Sequence, residues 1–312
     1  MEENDTFKAI VEQKDCDSEQ AKVREINSGI YWFKAEKLSG LLDKLGNNNA
    51  AGEYYLTDTV AVAEKKGVYT ADSTDVVLGA NSRSQLAALN EVARKRKLAE
   101  LMDEGVDIPL SDGIIIGKDV KIGHDTVILP NTIIKGKTVI GNGCEIGPNS
   151  YIADCVIEDN VILNNVQAHE SKVDSKAKAG PFVHLRPNTH LHSGVKIGDF
   201  VEVKNSEVGL NTCIAHLTYI GDSDVGKGVN FGCGCVTANY DGIKKYRTTI
   251  GDNAFIGCNT NMIAPVTIGD NATTAAGSTI TKNVPADSLA VERGQTRIIE
   301  HWEKNSKRIK KA

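Results

Sequence analysis

The stretch IGKDVKIGHDTVILPNTIIKGKTVIGNGCEIGPNSYI, residues 116–152, places an isoleucine at every sixth position, with Gly, Pro, Asn and Asp crowded between. A period of six fits neither a helix, which repeats at 3.6 residues, nor a simple strand, which alternates at two. It fits a coil of three short straight faces, in which each face directs one branched side chain inward before a turn. The stretch therefore predicts a parallel β-helix.

The same repeat extends over most of the chain. It resumes later as Ile250, Ile256, Met262, Ile268, Thr274 and Ile280, in which Thr274 is the one polar residue. Between the two runs, one interval of five interrupts the step, as the series Ile197, Val203, Val208, Ile214 and Ile220 shows. Coils of 18 residues stacked at about 4.8 Å would give roughly nine coils between residues 114 and 284. The spacing does not determine the hand of the coil.

Composition narrows the class of protein. The chain has 312 residues, 25% of them charged, and a formal net charge of -5, which disfavours nucleic acid as the main partner. Residues 304–312 nevertheless form a local basic tail. Seven cysteines with no CxxC spacing and no secretory signal before them suggest reduced thiols in a cytoplasmic protein. Apolar stretches are too short for a membrane span.

Three regions separate by pattern. Residues 1–80 combine a strand-like run at 30–33 with helical stretches at 35–45 and 56–64, and are expected to be α/β. Residues 81–112 contain one connecting helix, with Asn81 or Ser82 as its N-cap and Gly105 at its end. Residues 113–312 contain the β-helix and the basic tail.

A prism with a solid core has no internal pocket, so chemistry is expected on its outer faces, in insertions or between neighbouring prisms. One insertion, residues 237–249, breaks the period and is a candidate wall for a cleft. Just before it lies His216, close in sequence to Tyr219 and Asn230. A neutral imidazole can take the proton of an amine as the amine attacks an acyl group. His216 is therefore the candidate base, whereas the other six histidines are interpreted as surface or packing residues.

Two cations are expected to stack on one face. Arg186 and Lys204 are 18 positions apart, which is one full coil, or about 5 Å along the rod. Like charges do not stack in this way for stability, so the pair predicts a bound anion such as a phosphate. The alternative is that Glu202 neutralises them.

Several motifs together resemble one bacterial family. They are LRP, FVEVK, HLTYIGD, VNFGCG, NYDG and AVERGQ in the repeat region, and VEQKD, EINSGIY and NNNAAGEYYLTD before it. The sequence resembles the bifunctional N-acetylglucosamine-1-phosphate uridyltransferase / glucosamine-1-phosphate acetyltransferase family of cell-wall precursor synthesis. The resemblance covers nearly the whole chain and implies a left-handed β-helix of the hexapeptide-repeat acyltransferases, assembled as a homotrimer whose sites use more than one subunit.

The resemblance implies a role for each matching residue. His216 would be the general base in transfer of the acetyl group of acetyl-coenzyme A to the amine of glucosamine-1-phosphate. The residues implied to bind the sugar phosphate are Arg186, Lys204, Tyr219, Asn230 and Lys245. The residues implied to bind acetyl-coenzyme A are Cys233, Asn239, Tyr240, Cys258, Ala276 and Arg293, with the basic tail near its phosphates. Two of these depart from the family, which commonly has alanine at position 233 and serine at position 258.

The uridyltransferase half is expected to be incomplete. The glycine-rich loop and lysine with which the family binds a nucleoside triphosphate have no counterpart here. Glu12 and Asn27 align with sugar-nucleotide contacts and Asn81 with a metal contact, but the partner aspartate for the metal is missing. We therefore expect Mg²⁺ to bind only if that site were complete, and no uridylyl transfer from this chain.

Other functions stay open at this point. One alternative is an enzyme that also performs uridylyl transfer from uridine triphosphate. A zinc-dependent hydratase on the same prism would need three converging histidines, for which His184, His190 and His192 are the only cluster in the sequence. The last alternative is a non-catalytic β-helix scaffold.

Overall fold

The structure is a computed structural model, which describes residues 7, 10–49 and 51–302. The chain divides into two compact units, with the boundary between Val92 and Ala93. None of the helices in the described ranges combines the length and hydropathy that crossing a lipid bilayer requires. The basic tail expected at residues 304–312 lies outside the described residues.

The first unit contains short helices joined by irregular segments. Its α-helices are α1 (Ala35–Leu42) and α2 (Asp58–Val62), both within the predicted helical stretches, and its 3₁₀ turns are Gln13–Asp15, Gln20–Lys22 and Thr74–Val77. The strand predicted at residues 30–33 is wrong, since that segment is irregular and leaves Ile30 and Trp32 exposed. A strand needs a partner for its backbone groups, and none lies beside this segment within the described residues. The connecting helix, α3, is confirmed at Arg83–Asp103.

The second unit is a three-sided parallel β-helix of 29 short strands, numbered along the chain. Face 1 has ten strands: β1 (Ile115–Ile116), β4 (Ile133–Lys135), β7 (Tyr151–Ala153), β10 (Val166–His169), β13 (Val183–Leu185), β16 (Glu202–Lys204), β19 (Tyr219–Gly221), β22 (Val236–Ala238), β25 (Asn261–Ile263) and β28 (Thr279–Ile280). Face 2 has nine strands: β2 (Lys121–Ile122), β5 (Val139–Ile140), β8 (Val156–Ile157), β11 (Lys172–Val173), β14 (His190–Leu191), β17 (Glu207–Val208), β20 (Ser223–Val225), β23 (Thr248–Ile250) and β26 (Val266–Ile268). Face 3 has ten strands: β3 (Val127–Ile128), β6 (Glu145–Ile146), β9 (Ile162–Leu163), β12 (Lys178–Ala179), β15 (Lys196–Asp199), β18 (Cys213–His216), β21 (Asn230–Phe231), β24 (Phe255–Ile256), β27 (Thr273–Thr274) and β29 (Leu289–Ala290).

The six-residue repeat builds the core as predicted. Ile134 pairs with Ile152 in the next coil, and Leu185 pairs with Val203, with all four side chains fully buried. Thr274 is also buried, and it replaces apolar packing with hydrogen bonds, because its hydroxyl accepts from the Gly257 amide and lies 3.0 Å from that of Thr260. The inward columns therefore form one continuous core.

The corner between faces 3 and 1 is unusual in three successive coils. Left-handed backbone conformations recur at the corners of the rod, and Asn, Asp and Gly hold most of these positions, since they tolerate positive φ. At this corner, however, the positive φ falls on Phe182, Phe200 and Leu217, at 58°, 59° and 43°. The rings of Phe182 and Phe200 stack 5.2 Å apart, and all three side chains are more than half exposed. An apolar ridge thus runs up the corner beside His216.

Candidate functional site

The predicted pair of cations is stacked on face 1. Leu185 pairs with Val203, and the Arg186 amide donates to the Val203 carbonyl at 2.8 Å, which aligns Arg186 with Lys204 one coil on. Both side chains leave the outer surface because their neighbours Leu185 and Val203 point into the core. The coil of 18 residues therefore brings the two cations together, as the sequence predicted.

Glu202 engages only one of these cations. Arg186 donates from Nη1 to Glu202 Oε1 at 2.7 Å, and this hydrogen bond raises the pKa of the guanidinium. Both side chains remain more than one third exposed, so the ion pair is screened by water and contributes little to stability. The alternative foreseen from the sequence, neutralisation by Glu202, therefore holds for Arg186.

Lys204 instead faces a third cation. The pKa of its ammonium lies below the usual lysine value, first because Lys245 lies within hydrogen-bonding reach, and further because of partial burial and the charge of Arg186. Asp222 acts in the opposite direction but does not offset these effects. A surface that holds three cations against their mutual repulsion is suited to bind an anion with several oxygens.

The inserted loop delivers Lys245 to this position. Tyr240 and Lys245 form an antiparallel bridge, and the Tyr246 amide donates to the Asn239 carbonyl at 2.8 Å. At the tip, Asp241 accepts hydrogen bonds from the Ile243 and Lys244 amides at 2.8 Å each. These bonds lower the pKa of Asp241 because they favour its ionised form. The loop is thus a compact hairpin.

A buried polar network supports the site from behind. The Asp222 carboxylate, which is buried, accepts from the side-chain amides of Asn205 and Asn239. The Asn239 amide also lies 3.4 Å from the Tyr219 hydroxyl. The Tyr219 ring leans over Gly221, where an added Cβ would lie 2.3 Å from the phenol oxygen. Gly221 therefore leaves the room that Tyr219 needs beside Lys204.

We expect Gly221→Ala to reduce activity by displacing Tyr219. The added methyl group would also meet the Asn239 amide at 2.7 Å, so both neighbours must shift. The expected result is a rise in KM for the sugar phosphate with a smaller change in KM for acetyl-coenzyme A, measured by steady-state kinetics. Gly251→Ala, which clashes with Asp270 on another face, is the matched control for a general loss of packing. Equal effects of the two changes on KM for the sugar phosphate would contradict this role.

His216 begins a row that follows the corner between faces 3 and 1. It pairs with Asp199 in the preceding coil and accepts at its carbonyl from the Gly234 amide at 3.4 Å. Continuing the register of β18, β21, β24 and β27 places Cys233, Cys258 and Ala276 above it, one coil apart. Arg293 donates from Nη1 to the Ala276 carbonyl at 3.1 Å. Four of the residues predicted to bind acetyl-coenzyme A are therefore in line with the predicted base.

The remaining predicted residues lie apart from these groups. Asn230 is exposed on β21 of face 3, one coil beyond β18, and is not on the face of Arg186 and Lys204. Asn239 is buried against Asp222, and Tyr240 belongs to the hairpin, where its hydroxyl donates to the Gly242 carbonyl at 2.7 Å. Neither belongs to the row above His216, so their predicted contacts with acetyl-coenzyme A stay predictions.

The uridyltransferase residues all lie in the first unit. Glu12 accepts from the Thr57 hydroxyl at 3.4 Å, Asn27 donates to the Tyr31 hydroxyl at 2.6 Å, and the Asn81 amide donates to Gln85 at 2.7 Å. These contacts are local, and the metal role of Asn81 stays a prediction.

The histidines differ from the cluster considered for a hydratase. His184 lies on face 1 with its ring 5.9 Å from that of His169, and burial lowers its pKa. His190 and His192 lie on face 2, with their ring centroids 4.1 Å apart and two carboxylates beside them. Within one chain, the three histidines therefore do not converge. The sequence analysis missed the carboxylates, and it also missed Asp222 and Gly221.

Comparisons with known proteins agree with the fold and the motifs. Residues 247–282 match the family described as bacterial transferase hexapeptide (six repeats). The chain is 44% identical over 312 residues to the bifunctional protein GlmU of Desulfitobacterium hafniense strain Y51, covering 99% of this chain and 69% of that protein. The chain belongs to the GlmU family. The left-handed parallel β-helix predicted from the resemblance is confirmed as its fold class.

Other relatives give the same result. The GlmU protein of Clostridium acetobutylicum is 48% identical over 300 residues, which are 95% of this chain and 66% of that protein. The chain thus spans about two thirds of the length of the GlmU relatives it matches. Among solved structures, the UDP-N-acetylglucosamine acyltransferase of Francisella novicida is similar over 57% of this chain and 65% of that chain, with 17% identity and a TM-score of 0.41.

Proposed function

We propose that the chain is an acetyltransferase that moves the acetyl group of acetyl-coenzyme A to the amine of glucosamine-1-phosphate. The observation that carries the proposal is the cluster of Arg186, Lys204 and Lys245, in which the pKa of Lys204 is lowered by the two neighbouring cations. An anion between them would relieve this repulsion and accept charge-assisted hydrogen bonds. A sugar phosphate supplies both the anion and, through its hydroxyls, partners for Tyr219.

His216 supplies the proton acceptor in this proposal. It is exposed at the end of β18, and only Leu217 and Thr218 separate it from Tyr219 on face 1. An amine attacks a thioester only with its lone pair free, and the nitrogen must lose a proton as the new bond forms. A neutral imidazole near the corner can accept that proton. The amide product and the free thiol of coenzyme A then leave.

The row above His216 suits a long, extended cofactor. Cys233, Cys258 and Ala276 succeed one another at the coil spacing of about 4.8 Å, and all three are on the outer surface or partly so. Their small side chains leave the backbone accessible, and a backbone amide near position 233 could donate to the thioester oxygen as negative charge develops there. Arg293 lies at the far end of the row, where a phosphate of coenzyme A would find a cation.

A second copy of the chain would complete the site. Asn230, expected to contact the sugar, lies on face 3, whereas Arg186, Lys204 and Tyr219 lie on face 1. Three prisms packed side by side can place face 3 of one against face 1 of the next. The exposed ridge of Phe182, Phe200 and Leu217 lies on the intervening corner and provides apolar surface for such packing. We therefore propose a homotrimer with shared sites.

The experiment is an acceptor comparison. The purified chain is given acetyl-coenzyme A with glucosamine-1-phosphate, glucosamine-6-phosphate or glucosamine, and the acetylated product is measured by chromatography. We expect kcat/KM for glucosamine-1-phosphate to exceed that for glucosamine by at least about tenfold, since a hydrogen bond to a charged group contributes about 1.5–3 kcal/mol. Equal rates with the three acceptors, or no product from any, would contradict the proposal.

A further inference from the structure

Face 2 carries a histidine and carboxylate cluster that the proposed acetyl transfer does not use. Asp174 follows β11, His190 and His192 surround the buried Leu191 on β14, and Glu207 begins β17. Residues two apart on a strand point to the same side, so His190 and His192 both project outward. Three successive coils therefore contribute to one cluster.

The distances within the cluster are those of a closed set of ligands. His190 Nε2 and His192 Nδ1 lie 2.9 Å and 3.1 Å from the two oxygens of Asp174. His192 Nε2 lies 2.7 Å from Glu207 Oε1, and His190 Nδ1 lies 3.8 Å from the same oxygen. One ligand atom from each of Asp174, His190 and His192 lies within 4.8 Å of the others. Ligands at 2.0–2.2 Å around a tetrahedral zinc ion are separated by about 3.3–3.5 Å, which is within the range seen here.

The protons of the cluster do not balance without a cation. Both ring nitrogens of His192 face carboxylate oxygens, yet a neutral imidazole carries only one N–H group. One contact would then set a lone pair against a carboxylate. Asp174 is largely buried, with 12% of its side chain exposed, so water does little to screen that repulsion. A second proton on the ring or a metal ion in place of the proton would resolve it.

We propose that Asp174, His190, His192 and Glu207 bind a divalent transition cation of the zinc class. Two imidazoles and two carboxylates match the nitrogen and oxygen ligands of zinc sites. Four protein ligands leave no open position, which is typical of structural sites rather than catalytic ones. The ion would link three successive coils on face 2, away from the corner that carries His216.

Lys172 is the competing source of positive charge. Its ammonium lies 2.9 Å from Asp174 Oδ1 and 3.9 Å from Glu158 Oε1. Burial opposes the ionisation of Asp174, but hydrogen bonds from Lys172 and His190 outweigh it and lower the pKa of the carboxyl. The Lys172 side chain is 46% exposed and can swing into solvent when a metal ion takes its place. Replacing it distinguishes a metal site from a plain ion-pair network.

The test is zinc titration of the tag-free chain by calorimetry, with accessible thiols alkylated beforehand so that Cys233 and Cys258 do not bind the ion. We expect one equivalent of zinc per chain. His190→Ala and His192→Ala should each weaken binding by more than the about 10- to 100-fold that loss of an outer-shell partner costs. Lys172→Met should bind at least as tightly as the parent chain. His124→Ala, which removes an exposed histidine elsewhere, is the matched control.

Thermal unfolding provides an independent readout. A ligand that binds only the folded state raises the unfolding midpoint with its concentration, so zinc should raise the midpoint of the parent chain and of His124→Ala but not of His192→Ala. Glu207→Gln, at a more exposed position, removes a ligand with little effect on folding and should also lose the shift. Equal zinc affinity of the parent and His190→Ala, or failure of the parent to bind zinc, would overturn the proposal.

Discussion

The His216→Ala protein is expected to lose about 10²–10⁴-fold in kcat for acetyl transfer, because a positioned general base contributes that factor. The imidazole is exposed and makes no contact on which folding depends, so the fold and the KM for glucosamine-1-phosphate should change little. Steady-state kinetics under saturating acetyl-coenzyme A measures the loss. A residue that merely fills the corner would produce a far smaller change.

His124→Ala is the control for removing a histidine. His124 is also exposed and pairs with Asp125 at 2.7 Å, in a coil far along the chain from β18. It should keep the kcat of the parent. A loss of less than about tenfold in His216→Ala, with the fold intact, would exclude a general base of the usual strength.

The second large effect is expected from the cation cluster. Lys204→Met and Arg186→Met should each lower kcat/KM for glucosamine-1-phosphate by about tenfold or more, because each removes a charged hydrogen bond to the phosphate. Transfer to unphosphorylated glucosamine should be almost unchanged. The ratio of the two kcat/KM values therefore isolates the phosphate contact from any general damage.

Lys121→Met is the matched control for this experiment, since Lys121 is an exposed lysine on face 2. Lys245→Met should have a smaller effect than Lys204→Met, because the loop lysine is more exposed and its loss also removes the main cause of the lowered pKa of Lys204. If Lys204→Met lowers both acceptors equally, the phosphate does not lie at this cluster.

The β-helix was predictable because its constraint is local and repeated. Each coil needs one inward aliphatic residue per face, so the period appears in the sequence before any partner is known, and the paired columns such as Ile134 and Ile152 follow from it. The strand expected at residues 30–33 failed for the opposite reason. A strand in the first unit depends on a distant partner, and propensity alone does not supply one.

The candidate site was predictable only where the coil length held. Arg186 and Lys204 are separated by one coil of 18 residues, so their alignment followed from the spacing. The cluster on face 2 was missed because neighbouring coils differ in length, with Lys172 aligned to His190 across 18 residues and His190 to Glu207 across 17. A fixed repeat does not bring Glu207 under His190. The approach of Lys245 to Lys204 depends on the hairpin, whose shape the sequence pattern did not specify.

The most direct test of the central claim is a crystal structure of the assembled chain with glucosamine-1-phosphate and coenzyme A. The account predicts phosphate oxygens within about 3 Å of Arg186 and Lys204, with the amine of the same sugar in hydrogen-bonding reach of a His216 ring from the same or a neighbouring copy. A sugar phosphate bound away from Arg186 and Lys204, or an amine with no His216 ring beside it in any copy, would contradict the account.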